Sequence, residues 1–147
     1  MPDTEKNLKV EKIKNGTVID HILAGKALDV YRVLKGIESQ TCIIAVNVPS
    51  TRMKRKDILK IENKQLEPEE YNYISLISPN ATVVSIKDYK VIRKQKIELP
   101  ERIKGIVRCS NPACISNHET YITSEFDVAS KEPLVLVCTY CDHELKI

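Results

Sequence analysis

Short extended runs alternate with two amphipathic stretches over the first two-thirds of the chain. Leu8, Val10 and Ile13 predict a short first strand or its flank, and Gly16 punctuates it. TVIDHI (17–22), rich in β-branched residues, predicts another extended run. In AGKALDVYRVLKG (24–36), Ala27, Leu28, Tyr31 and Leu34 recur on one helical face, and Gly36 is a natural stop. TCIIAVNV (41–48) is a nearly continuous apolar run, which predicts a central strand buried on both faces. KDILKIEN (56–63), alternating Ile58 with Lys60, predicts a half-buried strand. LEPEEYNYISLIS (66–78) predicts a second helix. Pro68 suits its first turn, Glu69 and Glu70 favour the positive end of the dipole, and Tyr71, Ile74 and Ile77 share a face. ATVVSIKD (81–88) and YKVIRKQKIEL (89–99) predict two strands joined near Asp88.

This order, β-α-β-β-α-β with extra edge strands, predicts an α+β fold: one antiparallel sheet with two helices on a single face. The other face is left open for a ligand or a dimer partner. Pro100 cannot donate to a ladder and biases Leu99 towards an extended shape, so the boundary is expected there, giving domains 1–99 and 100–147. Beyond it only short strands and turns are predicted, in KGIVRC, TYITSEF and LVLVC. About 47 residues bury too little core to stand alone, so this small all-β, zinc-ribbon-like domain needs a staple.

Its cysteines supply one. Cys109-x4-Cys114 and Cys138-x2-Cys141 offer four soft thiolates from two tight turns, which suits one tetrahedral Zn2+ per chain. Two disulfides or four ordinary thiols are the alternatives, and a reducing compartment favours metal. A four-thiolate shell has no open position for water or substrate, so the zinc is structural. His118 and His143 read as exposed polar residues, and Cys42, in an apolar run, as a small core residue. No His/Cys-x-Glu element precedes the second pair, against a deaminase-type centre.

Composition narrows the partners. The 147 residues are 42% hydrophobic and 29% charged, an ordinary globular balance. The net charge is +3, but residues 101–147 carry −2, leaving +5 for residues 1–100, the expected home of an anionic ligand. No apolar run approaches a membrane span and the polar N-terminus lacks a signal-peptide core, so a cytoplasmic chain without a membrane partner is expected. One Phe, no Trp and six Tyr provide few stacking platforms, against nucleic acid as partner. Among the four glycines there is no phosphate loop, so phosphate must meet side-chain cations. Lys60, Lys94 and His21, from three separate strands, are candidates, with Asp20 able to accept from ribose hydroxyls. Strand alternation puts Ile19 and His21 on one face, Val18 and Asp20 on the other. Arg52, Lys54, Arg55 and Lys56 read as a solvated loop, with help in holding polyphosphate as the alternative.

VEKIKNGTVIDHI (10–22), NVPS (47–50), RKDILKIEN (55–63), SPNATVVSI (78–86), LPERIKGIVRCSNPACIS (99–116) and VCTYC (137–141), in order over nearly the whole chain, closely resemble the regulatory chain of aspartate carbamoyltransferase. The resemblance implies a non-catalytic subunit of pyrimidine biosynthesis, with an allosteric nucleotide domain followed by a zinc domain that contacts the catalytic chain. It implies CTP as inhibitor, ATP as activator and UTP alongside CTP. It also implies homodimers through the N-terminal domain, three of which bridge two catalytic trimers. By position, Val10, Glu11, Lys12 and Ile13 would line the base. Asp20 and Lys60 would contact ribose and neighbouring groups, and His21 and Lys94 the triphosphate, with Ile86 and Val91 packing nearby. The chain departs from the family where Val84 stands in place of an amide residue, which removes a side-chain hydrogen bond near the nucleotide. The stretch 24–37 also matches the family poorly.

Overall fold

The computed structural model describes residues 12–131 and 133–146. Two units divide the chain, Met1–Glu98 and Leu99–Ile147.

In the first unit the elements run β1 (Gly16–Leu23), α1 (Ala27–Val33), β2 (Cys42–Ser50), β3 (Lys54–Glu62), α2 (Pro68–Ile77), β4 (Thr82–Lys87) and β5 (Lys90–Lys96). The five strands form one sheet in the order β2-β3-β1-β4-β5, and each pairing is antiparallel. The two β-α-β crossovers set that order, with β1 and β3 adjacent at the centre. Ile44, Leu59, Ile19 and Val83 form a continuous row across four strands. They belong to the same apolar cluster as Val30 of α1, Leu34 just after it and Ile74 of α2, which identifies the helix-covered face. At Gly16 a Cβ would overlap the carbonyl oxygen of Ile61, so β1 crosses β3 there only because the side chain is a hydrogen atom.

Several local expectations change. Among the described residues, the apolar run 41–48 forms an edge strand, β2, with Val46 57% exposed. Apolar continuity reports the hydrophobicity of a segment, whereas the crossovers decide its place in the sheet. Ile58 and Lys60 do not alternate in and out. They are two residues apart and share a face, while Leu59 and Ile61 point into the core. In α1, Ala27 and Val30 are buried, as is Leu34 at its C-cap, and Leu28 is 51% exposed, because Leu28 lies one helical step away from the buried stripe. Both helices are shorter than predicted. Of the predicted first strand, Leu8 and Val10 lie outside the described residues; Ile13 is buried but belongs to no strand.

A buried acid joins the helices. Glu67 caps α2 and Glu70 completes the capping box, its Oε1 accepting the Glu67 N–H at 2.9 Å. The other oxygen accepts the Lys35 N–H at 3.1 Å, and Lys64 Nζ lies 3.1 Å from Oε1.

The second unit is a four-stranded antiparallel sheet, β6 (Arg102–Lys104), β7 (Glu125–Lys131), β8 (Leu134–Cys138) and β9 (Glu144–Lys146), in sequential order. Beyond Lys104, KGIVRC is not a strand, nor is most of TYITSEF. Gly105 takes φ +70° and ends β6, so the following residues turn towards the cysteines. Ile103, Phe126 and Cys138 pair directly across three strands and are all buried. The sheet's core row thus ends on a cysteine.

Candidate functional site

Two candidate sites emerge, one in each unit. Cys138 ends β8, and the turn Thr139-Tyr140 returns the chain to Cys141. Asp142, at φ +60°, lets its N–H reach the Cys138 carbonyl at 2.9 Å, while the Cys138 N–H donates to the His143 carbonyl at 3.0 Å. The other knuckle is closed by the Cys114 N–H on the Asn111 carbonyl and by Asn117 Nδ2, which donates to the Cys109 and Asn111 carbonyls, each at 2.8 Å.

The four sulfurs all lie within 4.8 Å of one another, with Cys109–Cys141 and Cys114–Cys138 at 3.6 Å. A disulfide needs about 2.05 Å, and all four thiols are free. A tetrahedron with Zn–S near 2.3 Å requires sulfurs about 3.8 Å apart, so the cluster fits a structural metal with little adjustment. Burial pushes the Cys109 thiol up to about 12 and raises Cys138. The Ser116 hydroxyl, 3.1 Å from Cys114 Sγ, draws Cys114 down to about 7. Backbone N–H groups of Asn111, Ser116, Tyr140 and Cys141 bond to the sulfurs and disperse thiolate charge. His118 and His143 are exposed and stand outside the cluster.

The sheet face of the first unit away from the helices carries the second candidate site. Lys60, Val18, Val84 and Lys94 lie on one row across β3, β1, β4 and β5. This row lies one residue out of phase with the core row, so it faces away from the helices. Its centre is two valines and its flanks are two lysines. Asp20 pairs with Thr82 in the ladder, and Ile86 with Val91.

His21 departs from the predicted alternation. It takes φ +56°, and the β1–β3 register shifts between Ile19 and Ile22. This bulge returns the imidazole to the Thr82 side, with Nδ1 3.2 Å from Thr82 Oγ1, while Ile19 stays in the core. Burial is the main cause of a lowered His21 pKa. Asp20 opposes that shift, while Lys56, Arg52 and Lys94 reinforce it. Lys56 is not in a solvated loop: it is 4% exposed, and its Nζ lies 2.9 Å from Asp20 Oδ1. The same oxygen accepts the His21 N–H at 2.6 Å. Its signal was present in the sequence, since Lys56 and Lys60 are four residues apart on one strand and share a face.

Lys12 is exposed and Ile13 buried; Val10 and Glu11 lie outside the described residues. The adjoining segment is held beside the β4–β5 turn, where the Tyr89 N–H donates to the Lys14 carbonyl at 2.9 Å and the Asp88 N–H to Asn15 Oδ1 at 3.1 Å. Ile86, Val91, Lys60, Lys94, Asp20 and His21 are therefore on or beside one surface, made from four strands.

A family model described as aspartate carbamoyltransferase regulatory chain, allosteric domain, matches residues 8–98, and one described as the metal binding domain of the same chain matches residues 101–147. The chain belongs to the family of aspartate carbamoyltransferase regulatory chains. As a regulatory chain it is a non-catalytic subunit. The regulatory chain of Pyrococcus abyssi is 51% identical over 142 residues, covering 95% of this chain and 93% of the relative. That of Thermococcus kodakarensis is 52% identical over 141 residues, covering 95% and 92%. That of Methanococcus aeolicus is also 52% identical over 141 residues, covering 95% and 90%.

Proposed function

We propose that this regulatory chain binds nucleoside triphosphates on the helix-free face of residues 1–99 and holds aspartate carbamoyltransferase catalytic chains through a zinc domain, residues 100–147. The row Lys60–Val18–Val84–Lys94, with Asp20 and His21 beside it, carries the nucleotide reading. Its two valines offer an apolar floor. Lys94 and His21 supply charge-assisted bonds to phosphates, and Asp20 and Lys60 meet the ribose and its neighbours. Lys12 and Ile13, with Val10 and Glu11, contribute the base contacts beside Ile86 and Val91. CTP inhibits, ATP activates and UTP acts alongside CTP. Each effector shifts the assembly between two quaternary states by its differential affinity for them.

Zn2+ bound by Cys109, Cys114, Cys138 and Cys141 supplies fold rather than chemistry, since four thiolates fill its shell. These residues fix the two knuckles that present the docking surface. The chain pairs through its N-terminal domain, and three such dimers bridge two catalytic trimers in the cytoplasm, in pyrimidine biosynthesis. Mixing the purified chain with catalytic trimers, with and without zinc, tests this reading. Zinc-dependent assembly is expected, with activity lowered by CTP and raised by ATP. Failure to associate in the presence of zinc would defeat it.

A further inference from the structure

Asp57 is fully buried on β3, next to Lys56 but on the opposite face of the strand. Its carboxylate joins three pieces of backbone. Oδ2 accepts the N–H groups of Gly25 at 2.9 Å and of Ala27, the first residue of α1, at 3.0 Å. Oδ1 accepts the Asn47 N–H at 2.8 Å. Asn47 sits at φ +60° where the β2–β3 register shifts between Ala45 and Val48, so this bond holds a second bulge, on the sheet edge. Asp57 also pairs with Ile22 in the ladder, at the far side of the His21 bulge. One buried carboxylate thus fixes the exit of β1, the start of α1 and the bulge of β2.

We propose that Asp57 is a positioning residue that couples nucleotide occupancy to the β2 edge and the start of α1. This rests on the nucleotide reading above. The neighbouring residue supplies the input. Lys56 is ion-paired with Asp20, whose oxygen also holds the His21 N–H. A triphosphate against His21 and Lys94 is an anion beside that pair and competes with Asp20 for the ammonium. Lys56 and Asp57 share a peptide bond, so a shift of Lys56 on the open face moves the Asp57 carboxylate on the other. Three short hydrogen bonds to a buried acceptor do not stretch freely, so the bulge at Asn47 and the first turn of α1 move with it.

Residue-resolved amide exchange of the full-length chain, with and without saturating CTP, tests the coupling, alongside calorimetry of CTP binding. In the native chain CTP should change exchange at Gly25, Ala27 and Asn47 several-fold. In Asp57→Asn, CTP should still bind within about threefold, but Asn47 on one side and Gly25 and Ala27 on the other should no longer respond together, because the single amide oxygen can accept on only one side. Lys56→Gln leaves the three Asp57 bonds in place. It should keep the resting protection of Asn47 yet lose the CTP response at saturation, which decides the matter if Asp57→Asn does not fold. A joint response of both sides in Asp57→Asn, or any response that persists in Lys56→Gln, overturns the coupling, as does CTP binding that leaves Asn47 unchanged in the native chain. Absence of measurable CTP binding overturns the nucleotide reading, and this coupling with it.

Discussion

His21 combines a left-handed backbone, partial burial and three cations within electrostatic reach. Burial lowers its pKa below the ordinary 6.5, so the free imidazole is neutral at pH 7. A bound triphosphate favours the imidazolium and raises the pKa in the complex. Nucleotide affinity should then rise as pH falls through the bound-state pKa and level off below the free-state one. Calorimetry in buffers of different ionisation enthalpy should register proton uptake near pH 7. His21→Gln should abolish that uptake and weaken CTP by roughly tenfold at pH 6, the worth of one charge-assisted hydrogen bond. Equal proton uptake in the variant would exclude His21 as the group that titrates. The sequence pointed to Asp20-His21 as a polar dipeptide in an apolar strand, but alternation put His21 on the face of Ile19, which is the helix-covered one. Period-two reasoning assumes an unbroken ladder, and one bulge reverses parity downstream. A non-glycine residue at positive φ leaves no mark in the sequence that its neighbours would betray.

At the scale of elements, the junction between α1 and α2 rests on Glu70 as much as on apolar packing. Burial works against its charge, but the Glu67 and Lys35 N–H groups and Lys64 outweigh it and hold its pKa below the usual carboxylate value. A lowered folded-state pKa contributes stability above the unfolded value, about 4.3, and that contribution fades as pH falls through the folded value. Glu70→Gln keeps one acceptor and loses the charge, so it should cost the first unit about 1–3 kcal/mol near pH 7. Thermal unfolding of both proteins between pH 3 and 7 should show the gap narrowing below pH 5. A gap independent of pH would mean that geometry, not charge, holds the junction. Glu70 was legible only as a first-turn acid of α2, since its bond to Lys35 joins residues far apart in the chain. The face Tyr71, Ile74, Ile77 was readable because one helix writes it locally. The edge position of β2 was not, because strand order is a property of the crossovers rather than of the strand.

Across the molecule, the order of elements was legible in the first unit, where helical and extended periods alternate cleanly and the crossover rules leave few sheets to build from them. The metal cluster was legible from spacing alone, since two tight turns bring four sulfurs together whatever surrounds them. What spacing could not supply was the link from cluster to sheet: Cys138 closes the row Ile103–Phe126–Cys138, so the cluster is continuous with the second unit's small core. That continuity decides what zinc removal does. Structural zinc contributes about 10–16 kcal/mol to such modules, more than a domain of this size holds in reserve. The first unit has its own core of Ile19, Leu59, Ile61, Ile74 and Val83. A strong chelator should therefore release one zinc per chain and strip amide protection from β6 to β9, leaving β1, β3 and β4 protected and CTP binding within about threefold. Cys138→Ser should do the same without chelator, since three thiolates and a hydroxyl leave a core position polar and the metal loosely held. In complex with catalytic chains, both treatments should uncouple effectors from activity before they abolish effector binding. Simultaneous loss of protection in both units would mean that the metal holds the whole chain, and protection retained in both would mean that the second unit needs no metal at all.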